Sequence, residues 1–135
     1  MKNFLDNYIE LRYSTYIEVR YIALKGGGRK MDAHIKKVYI PMTETGFYIL
    51  LCLQEEMHGY SIVQKVETLT GGEIHLSPGT MYGSLSKMEK DGLICFVREE
   101  EKRKLYRITE LGKQVLELEM ARIERLYRNL KEVQS

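Results

Sequence analysis

The chain has 135 residues, 44% of them hydrophobic, which suits one globular domain with a modest core. No apolar run approaches the roughly 20 residues that a membrane-spanning helix requires, so we expect no membrane association. The chain holds 21 basic and 19 acidic residues; residues 1–30 contain six of the basic and three of the acidic ones, which leaves 15 and 16 in the rest. Nucleic-acid binding therefore has to come from local clusters of basic side chains and not from bulk charge.

The two cysteines, Cys52 and Cys95, lie in apolar stretches, which predicts two buried thiols in a reducing cytoplasm. Together with His34, His58 and His75 they form neither a CxxC nor an HxxxH pair, so we expect no metal ion and no cofactor. The chain also lacks a glycine-rich phosphate loop, a nucleophile elbow and a paired-carboxylate site, and an enzyme is not expected. His58 is predicted instead to stabilise the turn into the helix that follows it.

Residues 1–30 read differently from the rest, because Tyr8–Tyr13 is nearly repeated as Tyr16–Tyr21 and three glycines at 26–28 then break any element. One hypothesis takes Gly-Gly-Gly-Arg-Lys before Met31 as a purine-rich ribosome-binding site translated in frame. Met31 would then be the native start, and the repeat would be translated AT-rich promoter DNA. The alternative is a genuine N-terminal arm or extra helix. The intact mass of the natively expressed protein distinguishes the two.

The first predicted helix of the domain is its most apolar one. Residues 32–40 read as a short polar lead-in, and residues 1–40 are together assigned to an N-terminal extension. Thr43 can then cap a helix that runs to about Glu56. Residues 47–53 are apolar nearly all round this helix, which is typical of a helix in the middle of a core.

A turn and a second helix follow. Residues 57–59 predict the turn, and the helix runs from Tyr60 to about Leu69, where the ring of Tyr60 is predicted to be structural. Thr70 and two glycines close this helix. Residues 73–76 form a short extended bridge.

The stretch from Ser77 to Gly92 predicts a short helix with both ends marked. Ser77 can cap its N-terminus, Pro78 suits the first helical position, and Gly92 can adopt the left-handed conformation that ends a helix. Its apolar residues recur at helical spacing and predict one buried face: Met81, Leu85 and Met88.

Several side chains on the rest of this helix are small, hydroxylated or basic, which favours a helix that lies close to DNA and hydrogen-bonds to it. They are Thr80, Gly83, Ser84, Ser86, Lys87 and Lys90. The exposed N–H groups at its start can hold a phosphate. Tyr82 is expected to pack its ring and direct its hydroxyl outward. The predicted DNA-binding residues of the helix are Ser77, Pro78, Gly79, Thr80, Tyr82, Ser86, Lys87 and Lys90.

After Gly92 the hydrophobic period changes to two. Leu93–Val97 and Leu105–Ile108 predict two strands joined by a polar hairpin loop at residues 98–104. Three helices followed by a hairpin predict a winged helix-turn-helix over residues 41–108, in a mainly α fold with a small β-hairpin. The basic half of the loop is expected to face DNA while the acidic half turns away; the predicted contacts are Lys102, Arg103 and Lys104.

Residues 109–135 predict one long helix capped by Thr109, with two apolar stripes. Leu111, Val115 and Leu118 form a stripe that can dock on the strands. The second stripe has coiled-coil-like spacing and extends past the compact domain, so nothing in the same chain is expected to cover it. It is assigned to homodimerisation through Leu116, Met120, Ile123, Tyr127 and Leu130.

These segments resemble the PadR-like family of bacterial winged-helix transcriptional regulators over about residues 42–130. The C-terminal part ends after a single long helix and resembles the short subfamily. The segments that carry the resemblance are Phe47-Tyr48-Ile49-Leu50, His58-Gly59-Tyr60, Leu76-Ser77-Pro78-Gly79-Thr80-Met81-Tyr82, Leu85 with Asp91-Gly92-Leu93-Ile94, and Tyr106-Arg107-Ile108-Thr109-Glu110-Leu111-Gly112.

The resemblance implies a cytoplasmic dimeric repressor on near-palindromic promoter DNA, often its own promoter, that responds to a ligand or to stress. Several members control detoxification or drug-efflux genes. The helix that matches residues 77–90 enters the major groove in the family, which places Ser77, Thr80 and Tyr82 near DNA, and the hairpin contacts the backbone or the minor groove. Some short members bind flat aromatic effectors at the dimer interface through a tryptophan of the last helix. This chain has no tryptophan, and Tyr127 offers a weaker stacking surface.

A second function class stays open. A winged helix can also serve as a protein–protein interaction module without DNA binding, and the near-neutral charge and the acidic half of the hairpin favour that alternative. Salt dependence distinguishes the two, because DNA binding weakens steeply with salt.

Overall fold

The computed structural model describes residues 30–135, so the repeat at 8–21 and the glycines at 26–28 lie outside the described residues. This part of the chain forms five helices and a three-stranded antiparallel sheet, which confirms the predicted mainly α winged-helix fold and adds one short strand. In chain order the elements are α1 (Ala33–Tyr39), α2 (Glu44–Cys52), β1 (Met57–His58), α3 (Gly59–Leu69), α4 (Pro78–Lys90), β2 (Ile94–Glu100), β3 (Arg103–Ile108) and α5 (Glu110–Gln134).

Each of the five helices begins at a side chain that accepts a hydrogen bond from the backbone N–H three residues later. Such a cap contributes about 1 kcal/mol and fixes where the helix starts. The predicted caps Thr43, Ser77 and Thr109 are confirmed. The full set of cap-to-N–H pairs is Asp32–Ile35 (2.9 Å), Thr43–Gly46 (3.0 Å), His58–Ser61 (3.3 Å), Ser77–Thr80 (3.2 Å) and Thr109–Gly112 (3.1 Å).

Helix α1 replaces the polar lead-in that the sequence predicted over residues 32–40, and that prediction was wrong. Ile35 and Tyr39 stand four residues apart, so they share one face of a helix, and both are buried in the domain core. The Tyr39 hydroxyl donates a 2.6 Å hydrogen bond to Asp91, which caps the C-terminus of α4. The N-terminal boundary of the packed domain therefore lies before α1.

Helix α2 forms the centre of the core, as its all-round apolar pattern predicted, although it ends at Cys52 and not near Glu56. Ile49, Leu50 and Leu53 are completely buried. Cys52 is buried with them, and this burial raises the pKa of its thiol. Cys95 is only half-buried, so the prediction of two buried thiols holds for Cys52 alone.

The sheet has the strand order β1-β3-β2. Residues 57–58 pair with Tyr106 and Leu105 of β3, so the turn predicted at residues 57–59 is instead a strand followed at once by α3. Strands β2 and β3 pair out to Glu100 and Arg103. The predicted loop over residues 98–104 was therefore too long, because most of it belongs to the strands.

The wing, which is the β2–β3 hairpin, ends in a two-residue turn at Glu101 and Lys102. Both residues have positive φ angles, 52° and 63°. Positive φ at both central positions defines the type I′ turn, whose twist matches that of paired strands. Neither residue is a glycine or an asparagine, so the turn is held in a conformation that costs a side chain about 1–2 kcal/mol at each position.

Helix α5 starts directly after β3 and packs on α2 and β3. Gly112 makes this approach possible, because a Cβ atom there would collide with the backbone oxygen of Leu93. Leu116 and Met120 are fully buried in the core of the chain. The prediction that nothing in the same chain covers the second stripe was therefore wrong for these two residues. Its outer part, Ile123, Tyr127 and Leu130, is half-buried to exposed.

Candidate nucleic-acid interface

Helix α4 presents one buried and one exposed face. The predicted inward residues Met81, Leu85 and Met88 are each no more than 4% exposed, which confirms the apolar face. All the residues assigned to DNA contact from the sequence are exposed, both on α4 and on the wing: Ser77, Pro78, Gly79, Thr80, Tyr82, Ser86, Lys87, Lys90, Lys102, Arg103 and Lys104. The helix is therefore fixed by its inner face and offers small and basic side chains on the other.

The first turn of α4 leaves one backbone donor available. The Ser77 hydroxyl accepts from the Thr80 N–H and donates to the Thr80 hydroxyl at 2.9 Å. Pro78 has no N–H, and the Met81 N–H bonds to the Ser77 carbonyl. Among the residues that the structure describes, the Gly79 N–H has no acceptor. An anion at this helix start would find that N–H and the positive end of the helix dipole.

The outer surface of α4 is unusually flat, because Gly79 and Gly83 lie on it. No atom comes within 4 Å of the Cβ that either residue would carry if it were alanine. Neither glycine is therefore required by packing within the chain. Glycine in a helix interior costs roughly 0.5–1 kcal/mol relative to alanine, so α4 is less stable than it would be with alanine. Without a side chain at these positions, another molecule can approach the helix backbone closely.

The two lysines near the end of α4, Lys87 and Lys90, have different surroundings. The Lys87 ammonium lies 5.7 Å from the centre of the Tyr39 ring, on the side of α4 that faces α1. A cavity of about 220 Å³ lies beside it, between α1, α2 and α4. Lys90 is exposed at the end of the helix. Both ammonium groups can reach an anion outside the domain, and both oppose the negative end of the helix dipole.

Arg98 and Arg107, and not Arg103, contact the carboxylates of Glu56 and Glu100. The Arg98 guanidinium bonds to Glu56 and, at 3.3 Å, to Glu100, and Arg107 lies 3.9 Å from Glu56. Hydrogen bonding to Glu56 raises the pKa of Arg98 above its ordinary value. No carboxylate oxygen of the described residues lies within 4.0 Å of the side-chain nitrogens of three wing residues: Lys102, Arg103 and Lys104.

The strand register does not separate an acidic half of the wing from a basic half. Glu99 pairs directly with Lys104, and Glu100 pairs with Arg103. The expectation that the acidic residues turn away from the basic ones was therefore wrong, because directly paired residues share one face of the strands. Glu100 nevertheless leaves Arg103 without a carboxylate partner, since Glu100 accepts a hydrogen bond from Arg98 instead.

An open groove of about 550 Å³ lies between the wing and the N-terminal ends of α3 and α4. We call it the wing groove; its walls include His58, Tyr60, Tyr82, Arg103, Lys104 and Tyr106. Tyr60 and Tyr82 are 57% and 58% exposed, so the predictions that Tyr60 is structural and that the Tyr82 ring is packed were wrong. Burial, followed by the nearby Glu89 and Tyr82, raises the pKa of the Tyr106 phenol, which remains protonated.

Arg103 lies at this groove beside two residues from the entry into α3. Its guanidinium carbon lies 5.8 Å from the centre of the Tyr60 ring, and its Nη1 lies 3.4 Å from His58 Nε2. Because His58 Nδ1 accepts the N–H of Ser61 as the cap of α3, Nε2 carries the proton of a neutral imidazole and is no acceptor for Arg103. This cap agrees with the prediction that His58 stabilises the entry into the helix that follows it. The sequence did not reveal the contact of Tyr60 with Arg103, because 43 residues separate them and only the β1–β3 pairing brings them together.

Two further observations on the described residues concern metal ions and membranes. They contain no group of three or more histidine, cysteine, aspartate or glutamate side chains placed to hold a metal ion. None of their helices is both long enough and apolar enough to cross a membrane.

Comparison with known proteins identifies the family. The sequence pattern of the transcriptional regulator PadR-like family matches residues 49–118. The chain is 31% identical over 108 residues to the transcriptional regulator YqjI of Escherichia coli K12, which covers 79% of this chain and 49% of that protein. The chain thus spans about half the length of this curated relative.

Solved structures show the same fold. A transcriptional regulator from Clostridium thermocellum superposes with a TM-score of 0.58 at 22% identity, over 76% of this chain and 97% of that one. A PadR family transcription regulator from Clostridium difficile R20291 superposes with a TM-score of 0.57 at 25% identity, over 69% of this chain and all of that one. The family pattern covers more than half of the chain and spans α4, the wing and the start of α5. The chain therefore belongs to the PadR-like family of transcriptional regulators, which are not enzymes.

Proposed function

We propose that the chain is a homodimeric, sequence-specific DNA-binding repressor that inserts α4 into the major groove of a near-palindromic operator. The observation that carries this proposal is the outer face of α4, where exposed glycines, hydroxyls and lysines lie beside a wing with three basic residues free of carboxylates. A helix used only for solubility would be more stable with alanine at the interior position Gly83. Membership of a family of transcriptional regulators supports the same conclusion.

In this arrangement the contacts divide by chemistry. The Gly79 N–H and the Thr80 hydroxyl hold a phosphate at the start of α4, with Ser77 orienting the Thr80 hydroxyl. Ser86 and Lys90 reach base edges or the opposite strand. The remaining predicted contacts, Pro78, Tyr82 and Lys87, border this surface. Lys102, Arg103 and Lys104 extend it to the backbone.

The outer half of α5 supports the proposed dimer. Leu126, Tyr127 and Leu130 are 40–53% exposed, and Val133 is 85% exposed. These residues and the half-buried Ile123 form an apolar strip that a second copy of the helix would bury. Two α4 helices in a symmetric dimer then read half-sites about 10 base pairs apart. Leu116 and Met120 contribute by holding α5 on the domain and not by direct contact.

Regulation forms the last part of the proposal. The repressor would act in the cytoplasm on its own promoter and on promoters of the detoxification or efflux type. A small hydrophobic or aromatic effector, or a stress signal, would release it by shifting the two α4 helices relative to each other. Tyr127 is an exposed aromatic surface for such an effector, with Lys131 5.6 Å from its ring centre.

A binding titration tests the central claim. The purified chain is titrated against a duplex from its own promoter region and a scrambled duplex at two salt concentrations. We expect tight, salt-sensitive preference for the native duplex at two chains per site, with log K falling by about 0.9 per phosphate contacted for each tenfold rise in salt. If a selection from random sequences also yields no preferred duplex, the proposal is wrong.

A matched pair of variants tests the assigned face. The double substitution Lys87→Glu/Lys90→Glu is expected to abolish specific binding. The double substitution Lys36→Glu/Lys37→Glu reverses the same charge in the last turn of α1, where both lysines are exposed. This control is expected to keep the preference for the native duplex. Unchanged affinity of the first variant would contradict the assignment.

The second candidate function is a winged-helix module that binds protein. The near-neutral charge of residues 31–135 and the glutamates on the wing favour it. It predicts no duplex preference at either salt concentration.

A further inference from the structure

We infer that the wing groove is a binding site for one DNA backbone phosphate, in which Arg103 makes the contact and Tyr60 positions Arg103. This inference rests on the proposed function and assigns to it Tyr60 of α3, whose sequence signal indicated only a structural role. The ligand chemistry is a phosphodiester monoanion, which matches a cationic groove lined by hydroxyls.

The charge of the groove supports an anion. Of the ionisable groups on its walls, Lys102, Arg103 and Lys104 are cationic, and none of the walls carries a carboxylate. Glu100, the cross-strand neighbour of Arg103, bonds to Arg98 instead. A guanidinium that has no carboxylate partner in the described chain keeps its donors for an external anion.

The geometry of Arg103 supports a positioning role for Tyr60. An exposed arginine on a hairpin tip would normally sample many rotamers, and the ordering of such a side chain opposes binding. Here the guanidinium lies over the Tyr60 ring and beside His58 Nε2. An interaction with the face of a ring is made by the charge of the guanidinium and uses none of its N–H groups on a carboxylate. Tyr60 therefore favours a position of Arg103 at the groove and leaves its donors available.

The opposite wall fixes where the phosphate would lie. Tyr82 projects from the second turn of α4, opposite the wing, and is 58% exposed. Tyr106 lies on β3, the same strand as Arg103, and also lines the groove. Both phenols can donate to a phosphate oxygen in the groove. With α4 in the major groove, as proposed, a bordering DNA strand would pass between α4 and the wing, and one of its phosphates would enter the wing groove.

The test compares variants of the full chain on the native operator duplex over a series of salt concentrations. Arg103→Gln is expected to weaken binding by about tenfold or more per subunit and to reduce the salt slope by about 0.9 per subunit. Tyr60→Leu is expected to produce part of the same loss and the same direction of slope change. Tyr60→Phe keeps the ring and is expected to bind like the parent chain.

Two controls separate the positioning role of Tyr60 and the contact of Arg103 from a general loss of positive charge. Arg107→Gln removes one charge from the same strand at a residue that lies outside the wing groove, and it is expected to keep the parent slope. The double variant Tyr60→Leu/Arg103→Gln is expected to bind no more weakly than Arg103→Gln alone, because Tyr60 acts through Arg103. Thermal unfolding of each variant confirms that it is folded at the assay temperature.

The possible failures are distinguishable. If the parent chain shows no salt-dependent binding to any duplex, the proposed function fails, and the inference fails with it. If the parent chain binds and Arg103→Gln keeps its slope, only the phosphate site is refuted. If the losses of Tyr60→Leu and Arg103→Gln add in the double variant, Arg103 keeps its contact and the positioning role of Tyr60 is refuted.

Discussion

Replacement of Gly83 by alanine should stabilise the chain and weaken its binding to DNA at the same time. Gly83 is the sixth residue of α4, and the added methyl group would meet no atom within 4 Å. The helix gains the difference in propensity, about 0.5–1 kcal/mol, with no packing penalty. For a domain of this size that gain raises the midpoint of thermal unfolding by about 2–5 °C.

The added methyl group lowers affinity only where another surface, such as DNA, comes close to α4. A methyl group forced into a tightly packed contact costs about 1–3 kcal/mol, which corresponds to roughly a 5- to 150-fold rise in the dissociation constant for operator DNA. Calorimetry or circular dichroism measures the first effect, and fluorescence anisotropy with a labelled duplex measures the second. Both are measured on the same preparation.

Gly71 supplies the matched control. Its added methyl group would also meet no atom within 4 Å, but its φ angle is +61°. Gly71→Ala should therefore lower stability by about 1–2 kcal/mol and leave DNA affinity unchanged, since the position lies between α3 and α4. A Gly83→Ala protein that is less stable than the parent would refute the assignment of open space. One that is more stable and binds DNA as tightly would refute the close approach of DNA to α4.

Three further predictions concern other parts of the fold. Tyr39→Phe removes the hydrogen bond to Asp91 and should lower the free energy of unfolding by about 1 kcal/mol in denaturant titrations; no change would mean that this bond is not formed in solution. Glu101→Gly relieves a positive φ and removes a carboxylate from the wing tip, so both the unfolding midpoint and the DNA affinity should rise; a fall in either contradicts the turn or the role of the wing. Because burial raises the pKa of the Cys52 thiol, the buried neutral thiol contributes fully to stability below about pH 8.5, and this contribution is lost as the pH rises through the pKa of Cys52 in the folded chain. A thiol reagent at pH 8 should modify Cys95 in the native chain and both cysteines only after denaturation. Equal labelling of both in the native state would contradict the burial of Cys52.

The sequence predicted the features that local chemistry decides. Ser77 and Gly92 marked both ends of α4, and the spacing of Met81, Leu85 and Met88 identified its inner face. These signals succeed because a cap and a helical face depend on residues within a few positions of each other.

The features that depend on distant partners were missed. The sequence of α1 was interpreted as a polar lead-in because the segment is short and His34, Lys36 and Lys37 interrupt its apolar residues. Only the contact of Tyr39 with Asp91, 52 positions away, shows what it packs against. The wing groove likewise needs the pairing of β1 with β3. The extent of the exposed strip on α5 could not be read from spacing, because the same spacing continues from Leu116 in the core to Leu130 at the surface.

The length and rigidity of α5 give it a mechanical consequence. It has 25 residues and is therefore about 37 Å long, and Gly112 locks its first turn against Leu93 at the start of the wing. Because the helix is continuous, a tilt of about 5° at that contact moves the far end by about 3 Å. Leu116 and Met120 hold the first half of α5 in the core, so a tilt of the whole helix would have to move these two side chains within the packed domain. The core and the apolar strip are thus two ends of one rigid element, and in the proposed dimer the direction in which α5 leaves the core would set the separation of the two subunits.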